Sequence, residues 1–593
     1  MENDSQQKRL MVALIASFAL TAVYMLSNTG STSSRPPLGA VDAGAPAAAA
    51  PQRLEAPAPA AAPPAPTAAA AEPKASLPPV RTLEVKRARA RYRFSSEGAG
   101  LTSAVLEGPR MREVRRLSIP EGFALLFGKK VPPAPQMNLA EPVPGAPLPL
   151  AIALAGAAPI PASLRYEMET AGPSSVVFVG RTPEWEVTKR VAWSEEGYEL
   201  NVAVTLRNVS RQVLAGELGI YDARAIDPAN EEKPSLFGGV GNLADAACLV
   251  KDSLEKLSPS DKPETKEHAG SVSWVGVNQQ YFLSAVFPVG AAREGRCVTA
   301  ASPVAREASA LFPVQVAPGE SVTQVFGVFL GPKENELLAT VPTLPENRGG
   351  AAWSPRLERA VDFGIWAVIC KLMLVVLRFF HGLIGNWGVA IVLLTVLVKV
   401  LLVPLTHRMM VSQEAMKKLQ PQLESLKKKY PDDREKQQRE MMRVYQEAGV
   451  NPFGSCLMLL VQMPIWVALF TTLRNSFELY GEPFVQNFLP DLTFKDPTYI
   501  LPVLLGVSQI ITGLLQPMAM DAAQQRIMVW FMPIFFTVIM LNYPAGLLLY
   551  IFTNNVLTVA QTYVLRRWLQ RGTPVKPVGA GVGPRGAAVE KRK

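Results

Sequence analysis

Apolar and polar residues are distributed in three different patterns along this chain, and each pattern predicts a different kind of structure. Long, almost wholly apolar segments occupy residues 380–404, 453–474, 498–516, 527–543 and 545–565. About 20 apolar residues suffice for a helix to cross a bilayer. With a shorter apolar segment at residues 10–26, they predict six transmembrane helices, five of them in a core at residues 351–566.

Residues 81–350 carry the second pattern, in which short runs alternate between apolar and polar residues. Residues 198–204 are one example, and Gly, Pro, Asn and Asp turn residues separate such runs. Period-two runs with frequent turns predict strands, so we expect an all-β sandwich here. After this domain, residues 356–372 are apolar but interrupted by Asp362 and Lys371, which predicts an amphipathic helix on the outer membrane surface.

The third pattern is a highly charged, helix-prone segment at residues 405–451. Apolar residues recur at helical spacing on both sides of a turn at residues 430–433, which predicts a helical hairpin. Basic loops favour the cytoplasmic side of a membrane, so we expect the hairpin and both chain ends inside and the β domain outside. An ordinary solvated surface competes with binding of ribosomal RNA or anionic headgroups as the role of its basic residues. Those that we expect to contact a substrate or ribosome are Arg408, Lys417, Lys418, Lys427 and Lys428.

The two ends of the chain have compositions of their own. Residues 1–30 combine Lys8 and Arg9 with the short apolar segment, and no small-residue cleavage site follows directly, so we expect an uncleaved transmembrane anchor. Residues 31–80 are rich in Ala and Pro and predict an extended, disordered linker. Residues 567–593 form a basic tail, which we expect in the cytoplasm.

The overall composition favours a membrane protein and argues against several functional classes. The chain is 48% hydrophobic and carries a formal net charge of +10. Its basic residues lie mainly beside apolar spans, not along one face or groove, so DNA is not an expected partner. The sequence contains no HExxH, GxSxG or Walker A motif. We therefore expect no enzymatic activity, no catalytic residue, no cofactor and no metal.

The cysteines give little indication of a site. There are four, without a CxxC pair, so neither a zinc site nor a thioredoxin-like site is indicated. Cys248 and Cys297 could form a disulfide if their domain is exported. Nothing in their spacing requires a bridge, and we expect two unpaired or buried thiols.

One charged residue, Lys399, lies within the apolar residues 385–404. A cation at the centre of a membrane span costs on the order of 3 kcal/mol on insertion scales. On position alone, a side chain that reaches the headgroups is as good an interpretation as a hydrated cavity. Other polar residues of the spans favour the cavity, although each alone is typical of an interhelical hydrogen bond. They are Thr395, Gln462, Gln509, Asn554, Asn555, Thr558 and Gln561.

Several short motifs and the charged hairpin occur in a characteristic order over about residues 360–570. The motifs are Gly385-Asn386-Trp387-Gly388, Lys399 before Pro404-Leu405-Thr406, Val450-Asn451-Pro452-Phe453-Gly454, Gln462-Met463-Pro464-Ile465 and Tyr543-Pro544-Ala545-Gly546. Together they resemble the YidC/Oxa/Alb insertases. The N-terminal anchor and large exported β domain resemble the YidC form of Gram-negative bacteria, and residues 274–282 are similar to a segment of its β domain.

This resemblance implies a polytopic α-helical protein of the inner membrane with a five-helix insertase core. It also implies a periplasmic β-supersandwich similar to sugar mutarotases. A hydrophilic groove, open to the cytoplasm and the lipid, would hold one positive residue, here Lys399 where the family usually has Arg. On the last helix, Tyr550 is followed by Ile551, where the family often has a second aromatic or hydroxyl residue. The expected groove residues are Lys399, Thr395, Gln462, Gln509, Tyr550 and Asn554.

The function that the resemblance implies is that of a membrane protein insertase and chaperone. Its expected partners are nascent membrane proteins, the Sec translocon, the ribosome and membrane lipids. A secondary transporter or channel with a periplasmic sugar-binding-like domain is the main alternative, but the chain shows no internal repeat and no paired intramembrane acids. A structural anchor with a working β domain is a second alternative.

Overall fold

The structure is a computed structural model that describes residues 79–571 with short gaps. The gaps are residues 114–116, 171, 229–243, 259–261, 343–344, 348–352, 432, 449–453 and 516–524. The predicted N-terminal anchor, nearly all of the Ala- and Pro-rich linker and most of the basic tail therefore lie outside the described residues.

The N-terminal domain is built from β-strands, as the alternating pattern predicted. In chain order they are β1 (Thr82–Lys86), β2 (Ala90–Ser95), β3 (Leu101–Leu106), β4 (Ile152–Gly156), β5 (Glu167–Thr170), β6 (Ser175–Arg181), β7 (Trp185–Trp193), β8 (Glu199–Asn208), β9 (Leu214–Ala225), β10 (Asp245–Val250), β11 (Ser253–Leu257), β12 (Glu264–Asn278), β13 (Phe282–Pro288), β14 (Arg293–Ser302), β15 (Ala305–Val316) and β16 (Ser321–Pro332).

These strands form two antiparallel sheets that share a core. The first sheet is 3-stranded, in the order β1-β2-β3; the second is 13-stranded, in the order β4-β9-β15-β14-β12-β13-β16-β8-β7-β6-β5, with β10 paired to β11 and β12. The large sheet folds back on itself, because the rings of Phe312 on β15 and Phe326 on β16 lie 5.9 Å apart. Phe94 of the small sheet stacks on Trp193 of the large one at 5.9 Å.

A disulfide joins Cys248 of β10 to Cys297 of β14, and this corrects the expectation of unpaired thiols. The two residues are 49 positions apart in the sequence. Their strands both pair with β12, where Cys248 lies opposite Val275 and Cys297 lies opposite His268. Spacing alone could not reveal this register.

Nine α-helices complete the described residues, most of them after the β domain. They are α1 (Ile119–Leu126), α2 (Asn335–Thr340), α3 (Ala367–Ile384), α4 (Trp387–Lys429), α5 (Arg434–Glu447), α6 (Gly454–Asn475), α7 (Ile500–Leu515), α8 (Met532–Met540) and α9 (Ala545–Arg571). A π-helical turn at Ile527–Phe531 leads into α8.

The amphipathic helix expected at residues 356–372 begins later in the chain, since the segment before Ala367 contains only two 3-10 helices. It ends where Gly385 adopts a left-handed conformation, with φ of 72°. Asn386 then caps α4, since its side chain accepts a hydrogen bond from the Val389 backbone N–H at 3.0 Å. The first core helix therefore starts at Trp387 and not at the expected residue 380.

The helix α4 continues without a break from the apolar span into the charged hairpin. Pro404 and Pro421 both lie inside it, so the boundary expected at residue 405 is not a break in the helix. The hairpin turns before Asp433, whose side chain accepts a hydrogen bond from the Lys436 backbone N–H at 3.0 Å and caps α5.

Within the described residues, three helices are long and apolar enough to cross a bilayer: Gly364–Ile384, Trp387–His407 and Ala545–Val564. Shorter apolar helices occupy Ile500–Leu515 and Ile527–Met540.

The first of the three candidate spans, which contains α3, contacts the β domain near both of its ends. Asp362, just before it, pairs with Lys256 at 3.0 Å, and Arg378 near its C-terminus pairs with Glu336 at 2.5 Å. Because Lys256 and Glu336 both belong to the β domain, α3 runs alongside that domain.

The β domain rests on the loop between α6 and α7. The guanidinium of Arg110 donates to the backbone carbonyls of Phe477 and Tyr480 at 2.6 and 2.9 Å. The Tyr480 ring lies edge-on to Phe282 of β13, with centroids 5.3 Å apart, and 4.7 Å from that of Tyr281. These contacts fix the β domain to the same end of the helices at which α4 and α9 begin.

Candidate functional site

The candidate site is a row of polar side chains between α4 and α9. Lys399 and Thr406 are two helical turns apart on one face of α4. The Lys399 ammonium donates to the Thr558 hydroxyl on α9 at 2.8 Å, and the Gln561 amide donates to the Thr406 hydroxyl at 2.6 Å. Thr406 is buried, and Lys399, Thr558 and Gln561 are half-buried. The outer faces of the surrounding helices are apolar.

The α9 side of the row follows directly from helical periodicity. Asn554, Thr558 and Gln561 are spaced i, i+4 and i+7, so they share a face and span about 10 Å along the axis. Asn554 also accepts a hydrogen bond from the Gln462 amide of α6 at 3.4 Å. Three helices thus contribute polar groups to one row.

Towards the β domain, the row ends in buried side chains. Tyr550 is 3% exposed and hydrogen-bonds with Gln462. Thr395 is 1% exposed, one turn before Lys399, and its hydroxyl donates to the Ile391 carbonyl of its own helix at 2.7 Å. Both therefore lie at the closed end of the row, on the side of Lys399 that is nearer the β domain.

Beyond that end, the α6–α7 loop covers the helices. The backbone N–H groups of Ala545 and Gly546, at the start of α9, donate to Phe494 and Leu492 of the loop, both at 2.7 Å. The Asn386 amide donates to the Phe484 carbonyl at 3.0 Å. Gly388 lies against the Phe484 ring so closely that any Cβ would clash at 2.1 Å. The Gly-Asn-Trp-Gly and Tyr-Pro-Ala-Gly motifs thus build a seal on this side.

Gln509 is the one predicted groove residue that the structure does not join to the row. It is half-buried on α7, and its side chain makes no hydrogen bond to another described residue. Its neighbour Ser508 accepts a hydrogen bond from the Asn555 amide of α9 at 3.0 Å. This pair connects α7 to the side of α9 next to the row.

Lys399 has no acidic partner among the described residues, and its contact to the protein is the Thr558 hydroxyl. An ammonium group buried without a counter-ion is costly unless hydrogen bonds or water solvate it. A half-buried position beside hydroxyl and amide groups provides such solvation. The arrangement suits a hydrated recess with a net positive charge. In the described part of the chain, no group of three or more His, Cys, Asp or Glu residues is placed to hold a metal ion.

The predicted hairpin residues lie away from this row. Lys418 is 19 positions beyond Lys399 on the same continuous helix, or about 28 Å along its axis. Lys418 and Lys428 are exposed and Lys427 is half-buried. The side chains of Arg408 and Lys417 lie outside the described residues.

Three contributors to the row, Thr406, Thr558 and Gln561, are absent from the groove residues predicted from the sequence. In the sequence, Thr558 and Gln561 stand only among the polar residues of the spans, and Thr406 stands only in a motif. Helical spacing indicates all three, because Thr406 shares the Lys399 face of α4, and Thr558 and Gln561 share the Asn554 face of α9.

Comparison with known proteins shows the family to which this chain belongs. Residues 379–572 match the family model of the 60Kd inner membrane protein, and residues 136–376 match that of the YidC periplasmic domain. A membrane protein insertase YidC from Anaeromyxobacter sp. strain Fw109-5 is 36% identical over 493 residues, which cover 82% of this chain and 84% of the relative. The chain belongs to the YidC family of membrane protein insertases. As a YidC family member it is an inner membrane protein with apolar helices and a β-rich periplasmic domain.

Two solved structures are also similar to this chain. A YidC insertase crystal structure with the first transmembrane domain resolved is 19% identical; the match covers 82% of this chain and 95% of the other at a TM-score of 0.34. A galactose mutarotase-like protein from Lactobacillus casei ATCC 334 is 9% identical; the match covers 42% of this chain and 100% of the other at a TM-score of 0.28. At these TM-scores neither likeness bears on the fold.

Proposed function

We propose that this chain inserts membrane proteins into the inner membrane, and assists their folding, through the recess around Lys399. The observation that carries the proposal is the row of hydrogen-bonded polar side chains from Gln462 and Asn554 to Thr406 and Gln561. It includes the Lys399 cation, which has no acidic partner in the part of the chain that the structure describes. Its family membership supports the same activity. No feature of the described residues favours a transporter or channel over an insertase.

The physical basis of this activity is a shorter path through hydrocarbon. A polar segment that crosses a bilayer loses its hydrogen bonds to water, which costs several kcal/mol for each unsatisfied group. The row offers hydroxyl, amide and ammonium groups over about 10 Å of that path. The leading polar part of a substrate would occupy the recess while its apolar span moves sideways into lipid.

The charge of Lys399 gives the recess a preference among substrates. An ammonium group without a counter-ion attracts carboxylates, and this attraction is stronger where water is scarce. Acidic residues at the leading end of a substrate would therefore enter more readily than basic ones. The work comes from burial of the substrate's apolar span in lipid and from the membrane potential, since one charge across 100 mV is worth about 2.3 kcal/mol.

The proposed topology puts the β domain and the α6–α7 loop in the periplasm and the α4–α5 hairpin in the cytoplasm. The basic residues of the hairpin support this, because positively charged loops remain on the cytoplasmic side. Six spans with both termini in the cytoplasm complete the proposal. The exposed Lys418 and Lys428 are positioned to meet a ribosome or an arriving nascent chain, and the Sec translocon is a further proposed partner.

Site-specific photocrosslinking tests the proposed pathway. Benzoylphenylalanine at Gln462, inside the row, should crosslink to a nascent inner-membrane protein during insertion. The matched control is the same label at Leu401, which is 68% exposed on the outer face of α4. Adducts with lipid alone from both positions would refute the recess as the substrate path.

A further inference from the structure

The short helix α1 of the β domain carries an uncovered apolar stripe. Ile119, Phe123 and Phe127 follow one another at i, i+4 and i+8, so they lie on one side of the helix and of the residue just after it. They are 51%, 39% and 80% exposed. Large apolar side chains in a row on the surface of a soluble domain mark an interaction surface.

The position of this stripe is fixed by a close contact to the membrane helices. Gly122 of α1 lies so near Pro497 that a Cβ would meet the Pro497 carbonyl oxygen at 2.7 Å. Pro497 stands just before α7, and the neighbouring Lys495 forms a β-bridge with Pro544, just before α9. The helix α1 is therefore level with the periplasmic ends of two apolar helices.

The residues after the stripe are basic. Lys129 and Lys130 follow Phe127 after one glycine and are exposed. The single acid of α1 faces the other end of the helix, since Glu121 accepts hydrogen bonds from both the backbone N–H and the hydroxyl of Ser118 at 2.9 Å. Apolar side chains next to lysines at the level of the headgroups match the chemistry of an anionic lipid surface.

From this placement we propose that α1, with Phe127, Lys129 and Lys130, is a lipid contact of the periplasmic domain. The stripe enters the outer leaflet of the bilayer, and the two lysines meet phosphate groups. With Gly122 against Pro497 on an adjacent side, α1 fastens the β domain to the membrane beside α7, at a place separate from α3.

Photocrosslinking from full-length protein in lipid vesicles tests this proposal. Benzoylphenylalanine replaces Phe127 in protein reconstituted into vesicles of phosphatidylethanolamine and phosphatidylglycerol, and lipid adducts are measured by mass spectrometry. Phe379 of α3, which is 61% exposed, is the positive control. Val213, which is 55% exposed in the β8–β9 turn, is the matched control within the β domain.

We expect the Phe127 position to give at least about ten times the lipid adduct of the Val213 position, because an interfacial helix buries its apolar side among acyl chains. Yields at Phe127 as low as at Val213, while Phe379 gives lipid adducts, would overturn the proposal. An adduct to protein with none to lipid would also overturn it.

A charge variant separates the role of the lysines from that of the apolar stripe. The double substitution Lys129→Gln and Lys130→Gln should lower the Phe127 lipid adduct about two- to threefold in anionic vesicles and leave it unchanged in phosphatidylcholine vesicles. Equal yields from both proteins in anionic vesicles would remove the lysines from the proposed contact.

Discussion

Two lysines of this chain are held in opposite ways, and the contrast separates a structural cation from one available to a substrate. Lys189 of β7 is fully buried, and its ammonium donates to the backbone carbonyls of Ala99, at 2.8 Å, and Leu150. Lys399 is half-buried and donates to one hydroxyl, that of Thr558. An ammonium has three N–H donors, so Lys399 retains donors for water or a passing chain.

The groups that surround the two lysines also differ, in how easily water or a substrate can replace them. Around Lys189, the protein backbone supplies fixed acceptors, and no solvent reaches the group. Around Lys399, the neighbouring groups are side-chain hydroxyls and amides on separate helices, which water or a substrate can replace. The complete enclosure of Lys189 therefore indicates a structural role. The protein satisfies only part of the hydrogen-bonding capacity of Lys399, which indicates a binding site.

The largest effect should come from reversing the charge of Lys399. We expect Lys399→Glu to reduce insertion by about tenfold or more, because a carboxylate in the recess repels acidic substrate segments. Lys399→Arg should retain function, since the charge remains. Protease protection of a model substrate in a depletion strain measures both. Lys266→Glu, the same reversal on the exposed face of β12, is the control; full complementation by Lys399→Glu would contradict the charge role.

Loss of the disulfide should destabilise the β domain, which contains Lys189, and leave the helices around Lys399 unchanged. Replacing Cys248 and Cys297 with Ser should lower the free energy of unfolding of the β domain by about 3 kcal/mol, because the bridge restricts the unfolded chain. Hydrogen exchange of the full-length protein, read separately for the strands and for α4 and α9, measures this. Cys370→Ser, at a buried free thiol, is the control. Equal loss of protection in both regions would contradict the separation.

The pH dependence of stability should reveal the enclosed lysine. Burial lowers the pKa of Lys189 to about 7. In the unfolded chain a lysine titrates near 10.4, so between these values the unfolded state binds more protons and stability rises with pH. We expect a rise of about 1 kcal/mol per pH unit between about pH 7 and 9.5 from this residue.

A Lys189→Met variant isolates that contribution. Urea unfolding of the β domain within the full chain at several alkaline pH values should show a shallower rise than in the parent protein. Part of the rise remains, because burial also lowers the pKa of Lys333 to about 7. The same slope in both proteins would show that Lys189 does not titrate in this range.

The smallest effect should come from the partner of Lys399. Thr558→Val removes the hydroxyl that accepts from Lys399, yet we expect insertion to fall less than about threefold, because water can take its place in a half-buried site. Thr562→Val is the control, since that hydroxyl donates to the Thr558 carbonyl of its own helix at 2.7 Å and to no other residue that the structure describes. A tenfold loss from Thr558→Val alone would mean that Lys399 depends on the protein as Lys189 does.

Periodicity along the sequence predicted the β-rich domain and the long apolar helices, since local patterns control both. The polar residues of the spans, together with the resemblance to the insertases, predicted that Lys399, Gln462 and Asn554 share one groove. The structure brings those three into one row, with Gln462 bonded to Asn554 and Lys399 bonded one turn further along α9. Their role in insertion remains a prediction.

Local sequence patterns could not predict features that depend on contacts between residues far apart in the sequence. The Cys248–Cys297 bridge depends on how β10 and β14 come together in the folded domain. The separation of Gln509 from the row depends on how α7 packs on α9. The start of α4 depended on a single backbone conformation at Gly385, which a run of apolar residues conceals. Thr406 could have been found from helical spacing.

The seal formed by the α6–α7 loop has a consequence for the energy balance of the cell. An inner membrane stores a proton gradient, and a polar recess that reached both faces would let ions discharge it. On one face, the Ala545 and Gly546 N–H groups are hydrogen-bonded to the loop, and Gly388 packs against the apolar Phe484 ring. These contacts close that face of the recess and need no bound water. We expect that loosening this contact, for example with Gly388→Leu, makes the protein a leak that slows growth even where insertion continues.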